Sequence, residues 1–498
     1  MMRNAGPPPS RSWTLPWESP ALLSPGAILS AFAALGIPLL LSAAGFAAAN
    51  RLLYPALALF VGSLLYIKRS PWYVGYCLWL FCACALVRRL TDYQAGFQVS
   101  STVLLAPYVA CLLAGGSALR YLGTGRNPCS VSLLFVLGTI FYGAVLAVLQ
   151  GRLGLGITDL LKWSVGPLIA VHFLALRREA AAETRKVILT ALVVAGPLMA
   201  LYGVWQFMSP LPWDAEWVIN VRQLGFDSIG VPQPFGLRVF GPMQSPGSLA
   251  AFLMASVLVS VGRRAQLSWA LLLPCVLCLA LCQYRTLWAA TCVGLFLIFL
   301  WGTPGTQFKI AVSAGIAVVG LSALALVPEI QYVLMRRFNS LGELEADASG
   351  AERLTQYVRF FTEADEPLLG TGFGVNYLSA IAGQKAAALD SGILDIARSF
   401  GLFGGLLYLV GLGSLIVTMI LRRSGGGISS TIFPAAAVAC FIQLPLGSIH
   451  VAEAGFLGWL LLGAALSTSL SHGRTSRSRQ MLRPAGSRML PENRELSA

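Results

Sequence analysis

The chain has 498 residues, 56% of them hydrophobic and 11% charged, and its mean hydropathy is +0.72. That composition excludes a soluble globule, because only lipid can cover so much apolar surface. The formal net charge of +14 fits membrane topology and anionic headgroups, and no aromatic-interleaved basic motif argues for nucleic acid.

In chain order, residues 1–26 read as a proline-rich cytoplasmic tail, "MMRNAGPPPSRSWTLPWESP" and its continuation. No cleavable signal is expected before the first apolar run, which reads as a signal anchor. Runs of about 17 to 25 apolar residues then predict an all-α, polytopic membrane protein with roughly fourteen transmembrane helices. Their centres fall near Ile37, Leu59, Leu80, Pro107, Gly138, Pro167, Gly196, Met254, Leu273, Val293, Ala317, Tyr408, Ala437 and Leu460. Residues 27–208, 246–327 and 393–470 carry the N-terminal, central and C-terminal helices. Between these groups lie an outer loop, 209–245, and a large extracytoplasmic loop, 328–392, expected to cover the active site. Residues 471–498, with six arginines against two glutamates, are expected to be a disordered cytoplasmic tail.

Basic residues set the orientation. Lys68, Arg120, Arg177, Arg263 and Arg422 stand on every second connection, so those loops are read as cytoplasmic and both termini as inside. Cys275, Cys278 and Cys282 are spaced C-x2-C-x3-C within an apolar span that lacks histidine or acidic partners. They are read as small buried hydrophobes and not as metal ligands. No cofactor is implied, and no nucleotide-binding unit is evident.

The outer face holds arginines that the positive-inside bias does not explain: Arg88, Arg89, Arg152, Arg222, Arg238, Arg285, Arg336, Arg337, Arg353, Arg359 and Arg398. Part of this set is expected to pair with loop carboxylates, and part to meet an anion. Arg285 stands alone between two apolar spans, where an unpaired arginine costs about 2.5 to 3.5 kcal/mol, so function or snorkelling must account for it. Arg238 ends the first long loop. Beyond it, Ser245-Pro246-Gly247 reads as a helix start whose N–H groups can face an anion. Two guanidinium groups at such a helix start suit a pyrophosphate.

These residues resemble a known family. "RVFGPMQSPGSLAAFL", "QYRTLWAA", "ERLTQYVRFFTEADEPLLGTGFGVNY" and "LDSGILDIARSFGLFGGLLYLV" are similar, in order and spacing, to the successive signatures of the O-antigen ligase and O-antigen polymerase family, from about Arg238 to Leu462. The N-terminal half matches only as a helix array. The resemblance implies a membrane glycosyltransferase of the bacterial inner membrane, and because no acidic metal triad is evident the enzyme is expected to be metal-independent. It would act at the periplasmic face on undecaprenyl-pyrophosphate-linked glycan, with membrane lipids, a chain-length regulator and a flippase as partners. The resemblance matches Arg238, Arg285, Arg353, Arg359, Gly370 and Gly374 to family positions; catalysis is expected at Asp390, Arg285 and Arg238, and substrate binding at Arg353, Arg359, Gly370, Gly372, Gly374, Arg89 and Ser391. The three glycines are expected to fold the large loop back over the membrane mouth.

One departure stands out. Where ligases of the family carry a histidine, this chain has Asp390 and Ser391, which resembles the polymerase branch. Asp390 is expected either to take the proton of an attacking sugar hydroxyl or to cap the following helix, and the two roles are compatible. His172 is placed within a span and His472 in the tail. Only His450, in the short outer loop "GSIHVAE", can approach the site from elsewhere. A ligase using Asp390 in place of histidine, and a transporter of lipid-linked sugar with Asp159 and Lys162 as its polar residues, are the alternative readings.

Overall fold

In the computed structural model, residues 24–124, 129–262, 268–324, 328, 331, 348–362, 368–375, 389, 391–423 and 428–481 are described. Among them the regular structure is helical, with one isolated antiparallel bridge between Gly230 and Leu237. In order the helices are α1 (Pro25–Ala43), α2 (Ala47–Ile67), α3 (Trp72–Ala95), α4 (Thr102–Gly123) and α5 (Ser130–Leu149). There follow α6 (Leu153–Ala175), α7 (Arg178–Met208), α8 (Pro212–Gln223), α9 (Pro246–Gly262), α10 (Ser268–Leu281) and α11 (Arg285–Trp301). The last are α12 (Pro304–Leu324), α13 (Ala348–Thr362), α14 (Gly392–Leu421), α15 (Ile428–Phe441) and α16 (Ala452–Met481).

Nine described helices are long and apolar enough to cross a membrane, and the shorter α9, α10 and α11 are apolar as well. Each of the fourteen apolar centres lies within a helical segment. The chain is a membrane-embedded, polytopic helical protein.

Burial sorts the helices into layers. α9 is apolar on every side, and its residues from Leu249 to Val261 are buried, as expected of a helix surrounded by protein. It packs on α7, α10 and α11, while α16 packs on α6 and α15, and α14 packs on α5. α3 is buried along most of its length against α7 and α2. Outer helices instead expose large apolar side chains such as Leu52, Phe60, Phe141 and Phe296, which lipid solvates. Small residues allow the closest crossings, because lipid gives little hydrophobic drive between helices and backbone approach must replace it. A Cβ at Gly463 would stand 2.7 Å from the Ala170 Cα, and one at Gly166 would stand 2.5 Å from Trp459. Cys278 and Cys275 are buried in the same way, against Gly203 and Gly196 of α7.

One expectation is corrected here. α16 continues to Met481, past the boundary at residue 470, so the first part of the basic tail is helical. The 209–245 segment contains a helix, α8, which lies against α3.

Candidate functional site

The sequence Ser245-Pro246-Gly247-Ser248 starts α9 as its composition predicts. Ser245 Oγ accepts from the Ser248 N–H at 3.1 Å, and proline occupies the first helical position, where its missing N–H costs nothing. Three more helices begin beside it. Tyr284, which precedes α11, lies where a Cβ on Gly247 would touch its ring at 3.1 Å. Ser248 donates to a Glu453 carboxylate oxygen at 3.2 Å, in the first turn of α16. Gly447, just before α16, stands between the Tyr284 hydroxyl and Gly392, the first residue of α14. The N-termini of α9, α11, α14 and α16 therefore meet at one end of the bundle. Each presents the positive end of its dipole and backbone N–H groups that no helical carbonyl reaches.

Arg238 comes to this junction from the loop before α9, and Arg285 from the first position of α11. Arg238 donates to the carbonyls of Ser228 and Gln283, both at 3.3 Å, and its guanidinium lies 5.9 Å from the Tyr284 ring centre. The Val239 N–H donates to the Leu281 carbonyl, which ties the end of the first long loop to the turn carrying Arg285. Arg285 is half-buried as the first residue of α11. On the flanks, Gln244 Oε1 and Thr286 Oγ1 are buried and meet no hydrogen-bond partner among the described residues. Buried polar atoms in native folds seldom lack a partner, so such a pair marks a place where the fold leaves polar capacity unused.

A second cluster sits across Gly447. Ser391 caps α14, accepting from the Leu394 N–H at 3.4 Å, and so takes the cap role that the sequence suggested for Asp390. Asp390 itself lies outside the described residues, as do Arg336 and Arg337. The Tyr357 hydroxyl of α13 is 2.6 Å from Ser391 Oγ and donates to the Pro445 carbonyl at 3.0 Å, anchoring the loop helix at the site. Asp395, one turn into α14, binds Arg398 at 3.0 Å and His450 Nε2 at 3.3 Å. His450 is buried, its ring lies 4.5 Å from Trp163, and a Cβ on Gly392 would reach its Nδ1 at 2.8 Å. A histidine thus does reach the start of α14, from the 447–451 loop. Its place in an outer loop is legible in the sequence, whereas its pairing with Asp395 is not, because the two lie on different elements.

The remaining arginines have different duties. Arg89 was expected to touch substrate, but it is 1% exposed and is held by its own fold. Its Nε pairs with Asp214 at 2.7 Å, and its terminal nitrogens donate to the carbonyls of Met243 and Gly241. Asp214 also accepts from Tyr202 at 2.9 Å and Gln206 at 2.8 Å, while Gln206 Oε1 accepts from the N–H groups of Phe240 and Gly241. Arg89 therefore fixes the backbone between Arg238 and Ser245. Arg88 binds Asp92, Arg222 binds Asp227, and Arg152 donates to the Thr371 carbonyl. Arg359 is exposed on α13, the helix that also carries Arg353.

Gly370, Gly372 and Gly374 have φ of 80°, 67° and 89°, which only glycine adopts without strain. They do not form an open cover over the mouth. The segment is inserted as a strap between α5, α6 and α14. The N–H groups of Thr371 and Gly372 donate to the carbonyls of Arg398 and Ser399, and that of Gly374 to Asp159 at 3.0 Å. Phe373 is buried between Gly143 and Gly156 and packs on Phe400. Asp159 also pairs with Lys162 at 3.5 Å, and both side chains keep some exposure, 22% and 38%. Lys162 lies about 13 Å along the α6 axis from its start.

The class these features define is a polytopic membrane protein with a cationic, four-helix-end junction at one end of its helix bundle. Comparison with protein-family models, curated proteins and solved structures finds no match to this chain.

Proposed function

We propose that this protein is a membrane glycosyltransferase of the O-antigen polymerase and ligase type, which joins lipid-pyrophosphate-linked oligosaccharide repeat units into a longer glycan. All fourteen apolar segments cross the bacterial inner membrane in this reading, with both termini cytoplasmic and the junction facing the periplasm. The observation that carries it is the meeting of Arg238 and Arg285 with the N-termini of α9, α11, α14 and α16. Guanidinium pairs and helix N-termini both bind pyrophosphate, and they stabilise the charge that grows on it as the glycosidic bond forms. Gln244 and Thr286 beside them are the residue types that hydrogen-bond sugar hydroxyls.

The test is reconstitution of the purified protein with lipid-pyrophosphate-linked repeat units, with products resolved by size. A ladder of increasing length that Arg238→Ala and Arg285→Ala each reduce by about 100-fold or more is the expected result. Unchanged repeat units would overturn the polymerase reading. Sugar movement across the bilayer without new bonds would make the protein a transporter.

One observation favours a second reading. Because His450 reaches the start of α14, the residue type that ligases of the family carry there is supplied from another loop. A ligase would transfer preformed long glycan to an acceptor that lacks pyrophosphate.

A further inference from the structure

Three described carboxylates stand on α16 and two of the helices packed on it: Asp159 on α6, Asp395 on α14 and Glu453 on α16. Asp159 is held by Lys162 and the Gly374 N–H, and Asp395 by Arg398 and His450. A carboxylate locked to a cation is a poor proton acceptor, because protonation would sacrifice the pair. Glu453 differs. Among the described residues no basic side chain lies within ion-pair distance of it, and its hydrogen-bond partners are neutral, the Ser248 hydroxyl at 3.2 Å and its own backbone N–H. Ser248 in turn accepts from the Ser245 hydroxyl at 3.0 Å. A directed chain of hydroxyls therefore runs from Ser245, at the mouth beside Gly247 and Tyr284, to a half-buried carboxylate.

Resting on the glycosyl-transfer reading, we propose that Glu453 is the proton acceptor of the reaction, reached through the Ser245–Ser248 relay. The acceptor hydroxyl oxygen bonds to the anomeric carbon while the bond from that carbon to the pyrophosphate oxygen breaks. The electron pair leaves on the pyrophosphate, where Arg238 and Arg285 meet its charge. The hydroxyl proton passes to Ser245 as the Ser245 proton moves to Ser248 and the Ser248 proton moves to Glu453. Proton and leaving group thus depart to opposite kinds of partner, one carboxylate and two guanidinium groups.

The surroundings of Glu453 tune it without fixing it. Lys162 of α6 lies within electrostatic reach, as do Cys84 of α3 and Tyr108 of α4, with Asp159 acting on Tyr108 in turn. From α14 the charged groups are Asp395 and Arg398, already paired to each other, with His450 joined to them from the loop before α16. α9 and α15 bring no charged side chain.

The experiment uses the full-length protein in liposomes with lipid-pyrophosphate-linked repeat units, and measures initial rates between about pH 5 and 9 for wild type, Glu453→Gln, Glu453→Asp and Ser248→Ala. Size-exclusion profiles and KM report whether each variant remains folded and binds substrate. Expected is a kcat for Glu453→Gln about 100-fold or more below wild type with KM little changed, and loss of the acidic limb of the pH profile. Glu453→Asp should keep a displaced limb, and Ser248→Ala should fall between. A Glu453→Gln variant that elongates glycan at the wild-type rate, or keeps the wild-type pH profile, overturns the proposal while leaving the glycosyl-transfer reading in place. A folded wild type that forms no glycosidic bond overturns both.

Discussion

Arg89 and Arg285 look alike in the sequence, since each is an arginine in an apolar neighbourhood that the proposed topology puts on the outer side. Their surroundings separate them. Arg89 finds Asp214, two backbone carbonyls and the faces of Trp217 and Phe240, so its charge is neutralised inside the protein. Removing one member of such a buried pair strands the other, so Arg89→Ala is expected to cost about 3 to 5 kcal/mol, measured by unfolding in detergent. Joint replacement of Arg89 and Asp214 by apolar residues should cost less than the single change, and a greater cost would show that the pair does more than neutralise charge. Gly392 offers a second residue-level test. Alanine there would push a methyl group to 2.8 Å from His450 Nδ1. Gly392→Ala should therefore lower activity at least as much as His450→Ala, and a fully active Gly392→Ala would show that the contact is not needed.

At the scale of elements, the strap from Leu368 to Val375 is the part whose conformation was legible and whose location was not. Three glycines in five residues announce positive φ, which is a local property, and the structure has it at each of them. Where the strap lies depends on Gly143, Gly156 and Gly401, distant positions whose lack of side chains makes the groove. Nothing in a single sequence links those glycines to the strap. The start of α9 was legible for the same local reason, because Ser245, Pro246 and Gly247 are adjacent. The cap of α14 was misplaced by one residue, as both Asp390 and Ser391 suit a cap and only the backbone at Ser391 decides. His450 and Asp395 lie on different elements, so their pairing required the fold. Gly372→Ala is expected to strain the strap by about 1 to 3 kcal/mol and to force its methyl group against Leu146 and the Gly143 carbonyl. A cysteine replacing the buried Thr371 should resist a membrane-impermeant maleimide in the parent and react when Gly372→Ala is added. Equal protection in both would mean the strap tolerates the change.

At the scale of the whole molecule, apolar length and charge carry the information, since a lipid solvent demands closed backbone hydrogen bonding in every span. That is why the fourteen centres all fall in helices, even where α10 and α15 are short and contain Pro274 and Pro434. Orientation rests on the basic connections and is open to direct test. Cysteines placed at the exposed Ser228 and Lys68 should be labelled by an impermeant reagent from the outer and inner sides respectively. The reverse pattern would invert the proposed topology and remove the junction from the periplasm.

The docked strap also constrains how the protein is made. Two walls of its groove, α5 and α6, are synthesised long before it, but the third wall, at Gly401 in α14, follows it along the chain. During synthesis the strap therefore emerges before its berth exists, and it can lodge only when α14 has entered the bilayer and come to rest against α5. Arg398, whose carbonyl receives the strap and whose guanidinium holds Asp395 beside His450, arrives in the same step. Completion of this end of the bundle is thus a late event in membrane assembly, and a chain halted before α14 would hold the arginine loop in place with neither strap nor His450 cluster beside it.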